Sequence, residues 1–182
     1  MDSALDPHAD QPLIRAGLPL EEAGRAVVMI HGRNASPGNI LELMPRLDRP
    51  AFAYLAPAAA NNTWYPFSFL VELHKNEPYL TSAIHRLDRV VNDIVAAGIS
   101  TDRIVLLGFS QGACLAAEFA YRHAGRYGGI VLFSGGLIGP PDEVKPRSAG
   151  DVVRNPSICS RSPSGSETRS WTSARWRCSA SR

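Results

Sequence analysis

Gly108-Phe109-Ser110-Gln111-Gly112 fits the pattern G-x-S-x-G, whose chemistry is nucleophilic attack by a serine hydroxyl on a carbonyl carbon. The pattern needs a tight strand-to-helix turn with the serine at its tip. Such a turn strains the serine backbone and leaves no room for Cβ atoms two residues to either side. Gly108 and Gly112 meet that demand. Ser110 would then sit at a helix N-terminus, where free N–H groups and the helix dipole favour developing negative charge. The N–H of Gln111 is one candidate oxyanion donor. His31-Gly32-Arg33 is the second constellation, and the N–H of Arg33 is a candidate for the other donor. The plain alternative is a glycine-bounded turn carrying an ordinary surface serine for the first motif, and a plain turn for the second.

These residues need elements to hold them. Leu13 to Leu20 reads as a short edge strand limited by Gly17 and Pro19. Ala26 to Ile30 is a continuous apolar run ending at His31-Gly32, as in a buried strand of a parallel sheet. Ser36-Pro37 can cap a helix carrying Ile40, Leu41, Leu43, Met44 and Leu47. Phe52 to Leu55 is a further strand, stopped by Pro57. A long helix opens at Glu77-Pro78, with Leu80, Ile84, Leu87, Val91, Ile94 and Val95 at three- and four-residue spacing, and ends at Gly98. Arg103 to Leu107 is a strand, Gln111 to His123 an alanine-rich helix, and Gly129 to Phe133 another buried strand. The alternation predicts an α/β fold, a three-layer sandwich around a mostly parallel sheet.

Composition sets the class. The 182 residues carry 19 Lys+Arg against 17 Asp+Glu and are 45% hydrophobic. That balance fits one soluble globular domain and argues against a general nucleic-acid binder. No apolar run approaches the ~20 residues of a membrane span, so no stable membrane insertion is expected. No signal peptide is visible in the polar start, and three cysteines suit a reducing compartment, so a cytoplasmic location is expected. The average hides a split. Residues 157–182 hold nine Ser and five Arg with one acid, which gives them +4 and leaves −2 on the rest. The sequence thus divides into a flexible lead (1–12), a body (13–150) and a Ser/Arg-rich tail (151–182) expected to be disordered.

The stretch from about Leu13 to Gly139 resembles the phospholipase/carboxylesterase family of α/β hydrolases, which includes acyl-protein thioesterases. The resemblance rests on residues 27–33, Tyr54-Leu55-Ala56-Pro57, Thr63-Trp64-Tyr65, residues 103–113 and Leu132-Phe133-Ser134-Gly135-Gly136. It implies that Ser110 is the nucleophile, that Arg33 and Gln111 give the oxyanion N–H groups, and that Trp64 lines the acyl or leaving-group side. It implies hydrolysis of a small acyl ester or thioester with no metal and no cofactor.

A serine hydroxyl needs a base. In α/β hydrolases the order is Ser, then Asp or Glu, then His. The family's Cys-Ser-Asp-x-Asp-like and Gly-Met-Gly-His-like segments do not occur here. Of His8, His31, His74, His85 and His123, only His123 follows Ser110, and thirteen helical residues put it roughly 20 Å away. All five read as surface or packing histidines, with His8 in the flexible lead. Asp142 and Asp151 read as solvent-facing. Two further βα units would take roughly 60 residues, more than follow Gly139. The hydrolase fold is therefore expected to be incomplete at its C-terminal end, with the reading frame or gene leaving the family pattern near Gly150 to Asn155. The strand Gly129 to Phe133 would then leave an open edge and favour self-association.

The sequence therefore predicts a serine-hydrolase lineage acting through an acyl-Ser110 intermediate, impaired in this chain. Two alternatives remain: a catalytically dead remnant that binds acyl ligands or partners, and an interaction protein acting through the tail.

Overall fold

The computed structural model describes residues 6–47, 49–123, 125–141 and 158–160. Asp142, Asp151 and the tail beyond Ser160 lie outside these, as do residues 1–5.

Six strands form one sheet in the order β1-β3-β2-β4-β5-β6. They are β1 (Leu13–Gly17), β2 (Arg25–Ile30), β3 (Phe52–Pro57), β4 (Ile104–Phe109), β5 (Gly129–Phe133) and β6 (Ile158–Ser160). β1 runs antiparallel to β3, and every other pairing is parallel. Among the described residues four α-helices accompany them: α1 (Pro37–Leu41), α2 (Met44–Leu47), α3 (Tyr79–Ala96) and α4 (Gln111–Arg122). The fold is α/β, a mostly parallel sheet between two helical layers.

The layering follows from the two-residue period of a strand, which sends alternate side chains to opposite faces. Ala26, Val28 and Ile30 of β2 join Ile104 and Leu106 of β4 in the cluster that holds Leu80, Leu87, Val91 and Ile94 of α3 and Leu115 and Phe119 of α4. Val27 and Met29 of β2 join Tyr54 and Leu107 in the cluster under Ile40 of α1 and the flanking Met44 and Leu47 of α2. Both faces are covered, which is why the strands read as unbroken apolar runs.

Local signals set the helix ends. Ser36 caps α1 reciprocally with Asn39, and Pro37 occupies its first turn. The expected single helix to Leu47 is instead two. Pro45 has no N–H for Leu41 and its ring clashes there, so α1 stops at Leu41. The Glu77 carboxylate accepts the N–H of Thr81 at 3.0 Å at the start of α3. Gly98, at φ +97°, ends that helix while the Ile99 N–H reaches back to the Ile94 carbonyl. No helix among the described residues is long and apolar enough to cross a membrane.

Two sequence expectations are corrected. The lead is not free over residues 6–12: His8 is fully buried, and Pro12 accepts the Ala58 N–H at 2.8 Å. Paired polar groups and a covered ring offset its ordering entropy. The tail is expected to be disordered and to leave the edge of β5 open, yet Ile158, Cys159 and Ser160 pair in parallel with Ile130, Val131 and Leu132. An unpaired strand edge selects backbone groups rather than an apolar pattern, so a strand without such a pattern can fill it.

Leu87 is fully buried in α3, whereas Val95 on the same helix is 41% exposed. Leu87→Ala should cost about 2–5 kcal/mol in urea unfolding. Val95→Ala should stay within about 0.5 kcal/mol of the parent.

Candidate functional site

Ser110 joins β4 to α4 at φ 52° and ψ −116°, a left-handed conformation for a residue with a side chain. Such strain costs about 1–3 kcal/mol and persists only where packing imposes it. The packing here is backbone on backbone. A Cβ on Gly108 would strike the Gly112 carbonyl, and one on Gly112 would strike the carbonyls of Ile30 and His31. Missing side chains therefore let the first turn of α4 lie against the end of β2. The Ser110 N–H donates to the Phe133 carbonyl of β5 at 2.8 Å, which fixes the turn from the other side. The Ser110 hydroxyl makes no helix-capping bond and stays free of protein partners among the described residues.

The same contact brings the second motif to the serine. A Cβ on Gly32 would lie 3.5 Å from the Ser110 Cβ and 3.3 Å from the Phe109 carbonyl. Arg33 follows directly. Its N–H has no acceptor among the described residues, nor has that of Gln111, which as the first residue of α4 has no partner within the helix. The structure thus sets Gly32, with Arg33 next in the chain, close to Ser110 and Gln111 at the sheet's C-terminal edge.

Trp64 is placed differently from the expectation of a substrate wall. It is fully buried, and its indole N–H donates to the His31 carbonyl at 2.9 Å. Its ring lies 5.0 Å from the His31 ring and 5.5 Å from that of His8. A side chain enclosed in this way supports the site from beneath. Phe109, the residue before Ser110, is an exposed apolar group, as is Phe67, whose carbonyl accepts from the Arg33 guanidinium at 2.6 Å.

Sequence reasoning missed three roles. The Gln111 side chain is buried, accepting the Trp64 N–H at 3.0 Å and donating to the Tyr65 carbonyl at 2.8 Å. The Arg33 guanidinium clamps the carbonyls of Pro66 and Phe67 and lies over the Tyr65 ring. Asn76, fully buried, binds the Phe67 N–H and the Ser68 carbonyl. Only for Gln111 did the sequence carry a signal, the amide that follows the serine. Burial pushes the Tyr65 phenol well above its usual range, with Cys114 adding to the effect.

Both ring nitrogens of His31 meet backbone, Nδ1 at the Gly32 carbonyl and Nε2 at the Ala59 N–H. His8 is likewise held by backbone. His123 stacks on Phe119 at the far end of α4, and its Nε2 lies 3.6 Å from Asp88. His74 and His85 are exposed, the first in a short 3-10 turn and the second on α3. Among the described residues no three His, Cys, Asp or Glu gather as a metal site would need.

A strained serine thus stands between a parallel strand and a helix of an α/β fold, with two backbone N–H groups close by that have no acceptor among the described residues. The pattern of the phospholipase/carboxylesterase family matches residues 19–149, and the chain belongs to that family. The match stops just before the segment where the sequence was expected to leave the family. A phospholipase/carboxylesterase from Dyadobacter fermentans DSM 18053 is 42% identical, with a TM-score of 0.71 over 78% of this chain and 66% of that one. Esterase PE8, 20% identical with a TM-score of 0.60, shares the fold over 81% of this chain and 71% of its own. Lysophospholipase-like protein 1 of Mus musculus is 30% identical over 78 residues, which are 42% of this chain and 33% of that protein. The chain therefore spans about a third of that relative.

Gln111→Ala should leave the buried Trp64 N–H without an acceptor and cost about 1–3 kcal/mol in chemical denaturation. Gly112→Ala should be worse, because its Cβ meets backbone that cannot rotate away. Gly136→Ala, which meets nothing within 4 Å, is the control and should unfold like the parent.

Proposed function

We propose that the chain is of a serine-hydrolase lineage that cleaves carboxylic esters or thioesters through an acyl-Ser110 intermediate, and that this chain is impaired in doing so. The observation that carries the reading is the Ser110 turn, with its strained backbone and unengaged hydroxyl. In the reaction the Ser110 Oγ attacks the carbonyl carbon and its proton must leave. The carbonyl oxygen becomes an oxyanion, accepting the N–H groups of Arg33 and Gln111. The alcohol or thiol departs with a proton, and water then releases the acid and restores Ser110. Phe109, beside Ser110 and about half exposed, offers apolar contact to an acyl chain.

Impairment is inferred from the proton's fate. A positioned base contributes roughly 10²–10⁴ in rate. No described imidazole bonds to Ser110, and His8 and His31 have both ring nitrogens engaged with backbone. That engagement favours a second reading, a remnant that binds acyl ligands without turning them over. A cytoplasmic location belongs to the same proposal and rests on sparse cysteines.

A fluorescent phosphonate probe separates these readings. Labelling should be abolished by Ser110→Ala and run at least ~100-fold slower than in a hydrolase with a complete triad. Fast, Ser110-dependent labelling would overturn the impairment. No labelling, with a fluorescent acyl analogue still bound, would favour the remnant.

A further inference from the structure

His8 and His31 come from distant parts of the chain and meet the same short loop. The Ala59 N–H donates to Nε2 of His31 at 3.2 Å, and the next N–H, that of Ala60, donates to Nδ1 of His8 at 2.9 Å. A backbone N–H only donates, so each receiving nitrogen must be unprotonated. The opposite nitrogens face carbonyls: His8 Nε2 lies 3.0 Å from Trp64 O, and His31 Nδ1 lies 2.8 Å from Gly32 O. A carbonyl only accepts, so those nitrogens carry the protons. The partners thus define two neutral imidazoles of opposite tautomer, with the Trp64 indole against both rings.

We propose that His8 and His31 form a proton-sensitive clasp, in which two neutral imidazoles accept consecutive N–H groups of one loop and so lock the 6–12 segment and the Gly32–Arg33 loop to it together. Adding a proton to either accepting nitrogen sets N–H against N–H in a site closed to water. Trp64 transmits the loss, because its carbonyl binds His8 while its indole N–H holds the His31 carbonyl. Opening the clasp therefore loosens the backbone that presents the Arg33 N–H.

The charges around it set its response. His8 faces Asp6 on its own segment, Arg86 on α3, His31 and the edge of the Tyr79 ring. Asp6 favours the protonated ring, while Arg86 and His31 oppose it. Asp6 is itself engaged by the Ser82 hydroxyl and by Arg89 at 3.3 Å, and Ser82 also accepts the His8 N–H. Asp10 adds negative charge near Arg86, whose guanidinium holds the Gln11 carbonyl. His31 faces His8, Trp64 and the Ala59 backbone, with no carboxylate or guanidinium among its named partners. Burial, the largest influence, lowers the pKa of both rings from the ordinary 6.5. A base whose folded pKa is lowered keeps its full contribution above 6.5 and loses it as pH falls from there through the folded value.

Amide hydrogen exchange on the intact protein tests this without using Ser110 chemistry, so its outcome is separate from that of the hydrolase reading. Protection of Ala59 and Ala60 should fall at least ~10-fold between pH 7.5 and 5, while β2 and β4 change less than ~2-fold. His8→Gln keeps a donor and an acceptor but does not titrate, so it should flatten the fall at Ala60. His85→Gln, at an exposed position, should behave as the parent. Imidazole NMR of the parent, which needs no variant, should show Nε2–H at His8 and Nδ1–H at His31. Constant protection across the range, an unaltered fall in His8→Gln, or the opposite tautomer at either ring would overturn the clasp.

Discussion

The whole site depends on one close approach, that of the first turn of α4 to the end of β2. Two carbonyls, those of Ile30 and His31, occupy the space where any side chain at residue 112 would begin. Glycine there lets the helix lie on the strand, and the approach sets Gly32 and Arg33 beside Ser110. The turn must then carry its serine at positive φ, a strain held by β4, α4 and the Phe133 carbonyl. Geometry, rather than any attractive pair of side chains, brings Ser110 close to the backbone of Gly32 and Gln111.

Beneath that contact lies a second, polar layer. Gln111 ties the elbow to residues 64 and 65, Trp64 ties that stretch to His31, and Arg33 reaches back over Tyr65 to Pro66 and Phe67. The bonds form a ring in which each motif braces another. In a low-dielectric interior such a network is worth most when every member is satisfied. The buried amide of Gln111 has a partner on each side, which suits a support better than a reacting group.

The parts of the fold written in apolar pattern were legible in the sequence. Ala26–Ile30 and the spacing of Leu80, Ile84, Leu87 and Val91 carry their burial on their faces, and the glycines around Ser110 mark the elbow. What escaped was written in backbone complementarity. Nothing near His8 marks its burial, because its partners are the carbonyl of residue 64 and the N–H of residue 60. β6 escaped for the same reason, since ladder pairing is blind to side-chain type. Trp64 was ambiguous by nature: an aromatic beside a site motif can face ligand or core, and its indole N–H found a carbonyl in the core. Pro45 was a readable break whose effect on the helix before it outweighed an apolar spacing that ran through it.

The bond from the Ser110 N–H to the Phe133 carbonyl ties the elbow to β5. Among the described residues, the start of α4 is also approached by Gly136, whose N–H lies 3.5 Å from the Cys114 sulfur. Among the described residues the serine's posture is set by backbone meeting backbone, so the bend is a property of the glycines around it and the hydroxyl is carried by it.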